Sequence, residues 1–418
     1  MQAAAGPAAE PSYDGVVRLA ERAAVGPGLN SIAQARAALV AAGVRITDLS
    51  DSNPTRHGLL HPDILDVIAR HVPDAARYEP HPRGPRPARE ALAARFGGDP
   101  ADYWLTSSTS EAYSWLFTLL ADPGQAIAVP RPGYPLTEPL ARLAGVRTTD
   151  YRLDYVHPDG WILDSESLQR AVADPQVRAV VVVNPGNPTG SYLGAGAGAV
   201  VDACARHGVA LIADEVFEPF ALDGEPGTIS GEQRVPTFAL GGGSKLLCAP
   251  QLKVAWIRLS GPATDLAPLR DALDRIADAF LPVSGPIAAA LPDLLALADE
   301  SVATTRRRLQ GNLAHLRAAL AAGPYRVRRC DGGWTVLVDV PQHLPVDDLA
   351  VHLLRSAHLA VHPGWFYDLA DGHTLALSLL PEPEEFAAGV SRLRAAIDDL
   401  IDRSAQPAAG PESDRPVI

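Results

Sequence analysis

The stretch VVVNPGNPTG, residues 181–190, decides how the chain is read. Its first part belongs to the β-branched run Val180–Val183, the length and composition of a strand buried on both faces. Its second part, Asn184-Pro185-Gly186-Asn187-Pro188-Thr189-Gly190, is turn chemistry throughout and stops the strand. In an open parallel sheet, ligands sit beyond the carboxyl ends of the strands. The loop is therefore either well placed for a site or an ordinary Pro/Gly turn.

Outward from this loop, the next apolar run, Leu211–Ala213, ends in Asp214-Glu215. A carboxylate there pairs with a buried cationic group or caps a helix. Then come Gly241-Gly242-Gly243-Ser244-Lys245, where glycines let backbone approach a ligand closely, and Lys253 eight residues on. The GxxxxGK[ST] spacing of a P-loop is absent. Gly194, Gly196 and Gly198 lack the spacing and acidic partner of a dinucleotide fingerprint, so they read as a loop and a helix start. On the amino-terminal side, Ser107-Ser108-Thr109-Ser110-Glu111 opens a helical pattern. Its hydroxyls and free N–H groups make an anion cradle, or plain N-caps.

Helical patterns at 86–97, 109–121, 135–144 and 196–207 alternate with β runs at Ala126–Pro130, Val177–Asn184, Val209–Asp214 and Lys253–Leu259. This predicts an α/β fold whose large domain has a mostly parallel sheet sandwiched by helices. Long amphipathic helices follow over 263–323. Strands in VRRCDGGWTVLVDVP (327–341), a helix at 346–357, strands at Leu359–His362 and Leu375–Leu379 and a helix at 383–402 predict a smaller α+β domain. Residues 16–45 are helically periodic around Val16, Leu19, Ile32, Ala35, Leu39 and Val40. The expected division is a disordered tail at 1–15, a segment at 16–50 contributing to the small domain, a large domain at 51–290, the small domain at 291–403 and a polar, Pro-rich tail at 404–418.

At 418 residues the chain is too long for one simple core. Its net charge of −13 disfavours nucleic acid as a partner, since phosphate backbones need basic stripes. No uninterrupted apolar run of about 20 residues predicts a membrane span. The start, MQAAAGPAAEP, lacks the basic-then-apolar order of a secretory signal. Both point to a cytoplasmic protein. Cys204, Cys248 and Cys330 are far apart and form no zinc or redox pattern, and no HExxH is present, so no metal is expected. Lysine occurs only at Lys245 and Lys253, and arginine supplies every other basic residue. A Schiff base needs a primary amine that can deprotonate, which arginine cannot provide, so the two lysines stand out.

NPGNPTG, then ADEVF (213–217), then GGGSK (241–245), in that order, resemble the fold-type-I pyridoxal-phosphate enzymes, the class I/II aminotransferases. The resemblance runs from about Leu29 to about Leu400. It implies pyridoxal 5'-phosphate held on Lys245 as a Schiff base, Asp214 beneath the pyridine nitrogen, Asn187 on the phenolic oxygen and Tyr134 stacked on the ring. It places Thr109, Ser110, Ser244 and Lys253 on the phosphate. Tyr78, in YEPHPRG, would reach the phosphate of a neighbouring subunit, which implies a homodimer with shared active sites. Asn53, Arg56, His57, His362 and Trp365 fall in loops that the resemblance puts near the substrate, where solvent-exposed or packing roles are the alternative.

Two departures from the family pattern matter. Phe217 stands where a tyrosine is usual and cannot donate a hydrogen bond. Ala376, in Leu375-Ala376-Leu377-Ser378, stands where an arginine usually grips the substrate carboxylate. PQLKVAW, GGW and SLLPEPEEF look like a bacterial subgroup of the family. The expected activity is transfer of an amino group between an amine donor and a keto acid. The alternative is a lyase, cyclase or C–C bond-forming enzyme, similar to aminocyclopropane-carboxylate synthases, that uses the same cofactor. A non-catalytic regulatory module is disfavoured, because residues 1–45 are too short and too poor in basic residues for a DNA-binding segment.

Overall fold

The computed structural model describes residues 20–23 and 28–405. The expected tail at 1–15, the positions Val16 and Leu19, and residues 406–418 lie outside the described residues. The last helix, Pro383–Ala405, runs into the start of the expected carboxyl-terminal tail.

A two-residue strand, β1 (Thr47–Asp48), precedes the main sheet. That sheet is built from β2 (Tyr103–Thr106), β3 (Ala126–Arg131), β4 (Arg147–Val156), β5 (Gly160–Leu163), β6 (Val177–Val183), β7 (Ala210–Asp214), β8 (Thr237–Gly242) and β9 (Ala255–Ser260). Their spatial order is β2-β9-β8-β7-β6-β3-β4-β5. Strands β4, β3, β6, β7 and β8 pair in parallel, β9 runs antiparallel between β8 and β2, and β5 closes the other edge antiparallel to β4.

The period-2 geometry of a strand explains why the apolar runs are continuous. Ala179 and Val181 of β6 and Ala210 and Ile212 of β7 pack with the helices Thr109–Leu120 and Ala263–Phe280. Val180, Val182, Leu211 and Ala213 point the other way, into the helices Ser165–Ala173 and Gly196–His207. Both faces of the central strands are thus dry, as a parallel sheet requires. Each fully buried Val, Leu or Ile contributes about 1.5–3 kcal/mol of hydrophobic stabilisation.

In the second layer, β10 (Arg326–Val327), β11 (Thr335–Asp339), β13 (His362–Pro363) and β14 (Thr374–Ser378) form an antiparallel sheet in the order β10-β11-β14-β13. Between them in the chain, β12 (Leu359–Ala360) pairs in parallel with β1. Leu309, Leu313 and Leu316, Leu353, and Phe386 and Val390 from three covering helices pack against Val336, Val338, Leu375 and Leu377. Phe217, Phe220 and Leu49 join the same cluster, so the two sheets meet at the residues that follow β7. The helix Ser31–Ala41 docks through Ala35 against Leu354 and Ala360. No helix among the described residues is long and apolar enough to cross a membrane.

Candidate active site

The carboxyl ends of β6, β7 and β8 form one rim. Val183 lies in register with Asp214, Asn184 N–H donates to the Asp214 carbonyl at 2.8 Å, and Glu215 N–H donates to the Leu240 carbonyl at 3.0 Å. Above this rim is a cavity of 310 Å³. Thr109, Ser110, Tyr134, Asn187, Asp214, Ser244, Lys245, Lys253 and His362 all line it. Elements as far apart in the chain as Thr109 and His362 thus bring most of the sequence-derived candidates together.

Local chemistry explains the loop after β6. Asn184 does not line the cavity. Its Nδ2 donates to the Gly227 carbonyl at 2.6 Å and its Oδ1 accepts from Leu193 N–H at 3.0 Å, which ties the loop down. Gly190 has φ +65°, and a Cβ there would lie 2.8 Å from Cys330 Sγ and 2.9 Å from the Gly332 carbonyl oxygen. Gly332 N–H donates to the Gly190 carbonyl at 2.8 Å. Only glycine fits this seam, which brings Trp334 to the cavity wall. Asn187 faces inward, and its Oδ1 is buried without a hydrogen-bond partner.

The glycines before Lys245 have a different role from the ligand approach expected of them. A Cβ at Gly241 would meet the Trp256 side chain at 2.5 Å, at Gly242 the Ala255 Cβ at 3.2 Å, and at Gly243 the Val254 Cγ1 at 3.0 Å. The absence of side chains lets β8 and the start of the Gly243–Leu246 helix close against β9, which fixes where Lys245 emerges.

Lys245 is buried, and burial pulls its ammonium below the ordinary lysine range, against the opposing pull of Asp214. Its Nζ lies 4.9 Å from the ring centroid of Trp334 and 5.3 Å from that of Phe217. Asp214 is 4% exposed. Burial raises its carboxyl to about 6, offset by hydrogen bonds from Val216 N–H at 3.2 Å and Tyr113 Oη at 3.0 Å and by the charge on Lys245. No helix follows Asp214. Its Oδ1 closes an Asx-type turn instead of an N-cap, and Oδ2 remains beside the cavity with Tyr113.

At the other end of the cavity, the serine-rich segment caps a helix whose start faces the cavity. Ser108 caps the helix Thr109–Leu120, its Oγ accepting from Glu111 N–H at 3.2 Å, while Glu111 Oε2 accepts from Ser107 N–H at 2.7 Å. The first-turn N–H groups of Thr109 and Ser110 have no intrahelical acceptor, so the helix still presents its positive end to the cavity. Lys253 sits opposite, just before β9 and not within it, at φ +55°. A side-chain-bearing residue in this left-handed region costs about 1 kcal/mol or more, a cost the fold carries where it aims the lysine at the cavity.

Several candidates stand elsewhere. Tyr78 is 80% exposed and does not line the cavity. Asn53 caps the short helix Pro54–His57 by accepting from Thr55 N–H at 3.1 Å, and Arg56 pairs with Asp51 at 3.2 Å. His57 is buried with Nε2 3.7 Å from Asp51 Oδ2. The Trp365 indole N–H donates to Asp347. Conversely, Ser50, Ser52, Trp334, Thr335 and Tyr367 line the cavity without having been singled out in the sequence, and Tyr113 supports Asp214 from behind. Tyr113 had one legible signal. It lies four residues after Thr109, on the same helical face.

The family model for aminotransferases of class I and II matches residues 55–374. An alanine aminotransferase of Mycobacterium tuberculosis is 26% identical over 381 residues, covering 86% of this chain and 87% of that protein. Among solved structures, an alanine aminotransferase from Pyrococcus furiosus superposes with a TM-score of 0.83 at 20% identity, covering 91% of this chain and 100% of that one. A Thermus thermophilus aspartate aminotransferase double mutant gives 0.80 at 22% identity, with 91% and 100% covered.

Proposed function

The chain belongs to the class I and II aminotransferases, and on that premise we propose that pyridoxal 5'-phosphate is held in the 310 Å³ cavity as a Schiff base on Lys245. The enzyme transfers an amino group between an amine and a keto acid, and its family works with pyridoxal phosphate. The observation that carries the proposal is that both lysines of the chain line one cavity together with Asp214.

The residues present fit the cofactor. The partnerless buried end of the Asn187 amide calls for a polar partner inside the cavity, and a half-turn of the amide offers Nδ2 to a phenolic oxygen in the same place. Lys253, the hydroxyls of Thr109, Ser110 and Ser244, and the helix start at Thr109 suit a phosphate. The Asp214 carboxylate suits a protonated ring nitrogen, and Tyr134 supplies an aromatic wall. Bound there, the cofactor supplies an electron sink beside the substrate carbon.

The protein groups do the rest. Burial pulls the Lys245 ammonium below the ordinary lysine range, which favours the neutral amine, so Nζ is the base placed to take a proton from the substrate carbon. Asp214 holds a negative charge in a dry site, where it favours protonation of the facing nitrogen. Phe217 and Trp334 exclude water from Nζ. Residues 51–290 act as the cofactor-binding domain, and the described residues of 16–50 with 291–403 as the small domain that contributes Trp334, His362 and Ala376 to the cavity. Tyr78, exposed on a single chain, reaches the phosphate of a partner subunit in a homodimer, a role its 80% exposure supports.

The test is a stoichiometric one. The loaded enzyme is mixed with an amine donor alone, and pyridoxamine phosphate is quantified. One equivalent per site supports transamination. Continuous release of an elimination product without pyridoxamine phosphate would refute it.

A further inference from the structure

The wall next to the reacting amine carries a specificity. Any carbon that hands its nitrogen over at Lys245 must come close to Nζ, and Nζ is flanked by the faces of Trp334 and Phe217, rings packed edge to face with centroids 5.4 Å apart. Tyr367, Ala376 and Leu377 extend this wall. Ala376 is 1% exposed and sits on β14 in register with Leu337 and His362. Among the described residues, the only lysines or arginines lining the cavity are Lys245 and Lys253, one for the Schiff base and the other beside the hydroxyls that suit a phosphate. Burial pulls the His362 imidazolium below the ordinary histidine range, and its Nδ1 lies 3.2 Å from Tyr367 Oη. On the segment that contributes Ser50 and Ser52, Arg36 is paired with Asp48 at 2.7 Å and Arg56 with Asp51 at 3.2 Å.

Building on the cofactor reading, we propose that the preferred amine donor carries no carboxylate on its nitrogen-bearing carbon. It is a primary amine with an aromatic or apolar body, released as the matching aldehyde or ketone. A carboxylate beside Nζ would be stripped of water, meet the negative faces of two aromatic rings and find no guanidinium. An α-keto acid meets the same wall and serves as acceptor only at high concentration. The balance is complete without an outside oxidant. The substrate carbon loses a proton to Lys245 Nζ and its nitrogen to the cofactor, whose carbonyl carbon is reduced to an amine as the substrate carbon is oxidised. Water supplies the oxygen of the released carbonyl.

The experiment compares body-matched probes on the loaded enzyme. Single-turnover rates are measured with 2-phenylethylamine and with L-phenylalanine, and with L-alanine as a small carboxylated donor. Calorimetric binding is measured for the unreactive pair 3-phenyl-1-propanol and 3-phenylpropanoate. The expected result is a second-order rate at least about 100-fold higher for 2-phenylethylamine than for either amino acid, and at least about 10-fold tighter binding of the alcohol, as an unpaired buried charge implies. Ala376→Arg should narrow both ratios, and the wild-type comparison stands alone if that variant does not fold. Equal or faster turnover of the amino acids overturns the inference while the cofactor remains on Lys245. A chain that does not hold the cofactor on Lys245 overturns the reading beneath it and the inference with it.

Discussion

The hydroxyl of Tyr113, fully buried behind the cavity wall, donates to Asp214 Oδ2 at 3.0 Å. Asp214 has one further donor, Val216 N–H, on Oδ1. The two bonds hold the carboxylate in one orientation and favour its charged form against the cost of burial. Tyr113 is therefore a positioning residue for the group facing the ring nitrogen. Tyr113→Phe should raise the Asp214 pKa further above about 6 and lower turnover about 10-fold, the weight of a hydrogen bond to a charged group. The acid limb of the pH–rate profile should move to higher pH. A profile that keeps its shape while only the amplitude falls would leave Tyr113 a packing residue.

Asp214 also makes a pH-dependent contribution to the stability of the cofactor-free chain. Its carboxyl titrates near 3.8 when unfolded and at about 6 in the folded protein. The folded state thus binds the proton more tightly. The stabilisation is complete below the unfolded value and disappears as pH rises through about 6, a change of about 3 kcal/mol across the window. Asp214→Asn should remove this component, so that urea unfolding of the variant shows a shallower decline in stability between about pH 4 and pH 6. With cofactor bound, the same variant should remain folded and lose about 3 kcal/mol of transition-state stabilisation. Near wild-type turnover would count against its role beside the ring nitrogen.

What could be read in the chain was local. NPGNPTG, ADEVF and GGGSK each carry their chemistry within a few residues of a strand end, and the strands they terminate are short, largely apolar runs, β-branched throughout only at Val180–Val183. The hairpin of β4 and β5 was not separately anticipated, because Arg147–Val156 is mostly polar and pairs with the edge strand β5, with few of its side chains buried. Trp334 and Tyr367 join the site through contacts such as Gly332 N–H to the Gly190 carbonyl and Gly133 N–H to the Tyr367 carbonyl at 3.1 Å. No local pattern encodes such pairings. The glycines at 241–243 were legible as a special turn, but their partners, Trp256, Ala255 and Val254, became visible only once β9 was placed.

Phe217 offers a spectroscopic prediction. Its ring packs edge to face on Trp334 and lies 5.3 Å from Lys245 Nζ. A hydroxyl added here would donate to the cofactor's phenolic oxygen, stabilise that oxygen as an anion and so lower the pKa of the proton it shares with the Lys245 imine. Phe217→Tyr should shift the visible pH titration of the loaded enzyme downward, provided the new hydroxyl reaches within about 3 Å of that oxygen. An unchanged or higher pKa would mean that another donor fills the position, or that the ring does not face the cofactor.

The central claim is that Lys245 carries the cofactor, and a chain with only two lysines makes its test unusually clean. The loaded protein is reduced with borohydride, digested and mapped by mass spectrometry, in wild type and in Lys245→Ala. The wild-type protein should yield the reduced pyridoxyl adduct on the peptide containing Lys245 and none on that containing Lys253, and the variant should yield neither adduct nor visible absorbance nor turnover. An adduct on Lys253 in the wild-type protein, or a reducible imine that survives in the variant, would contradict the assignment.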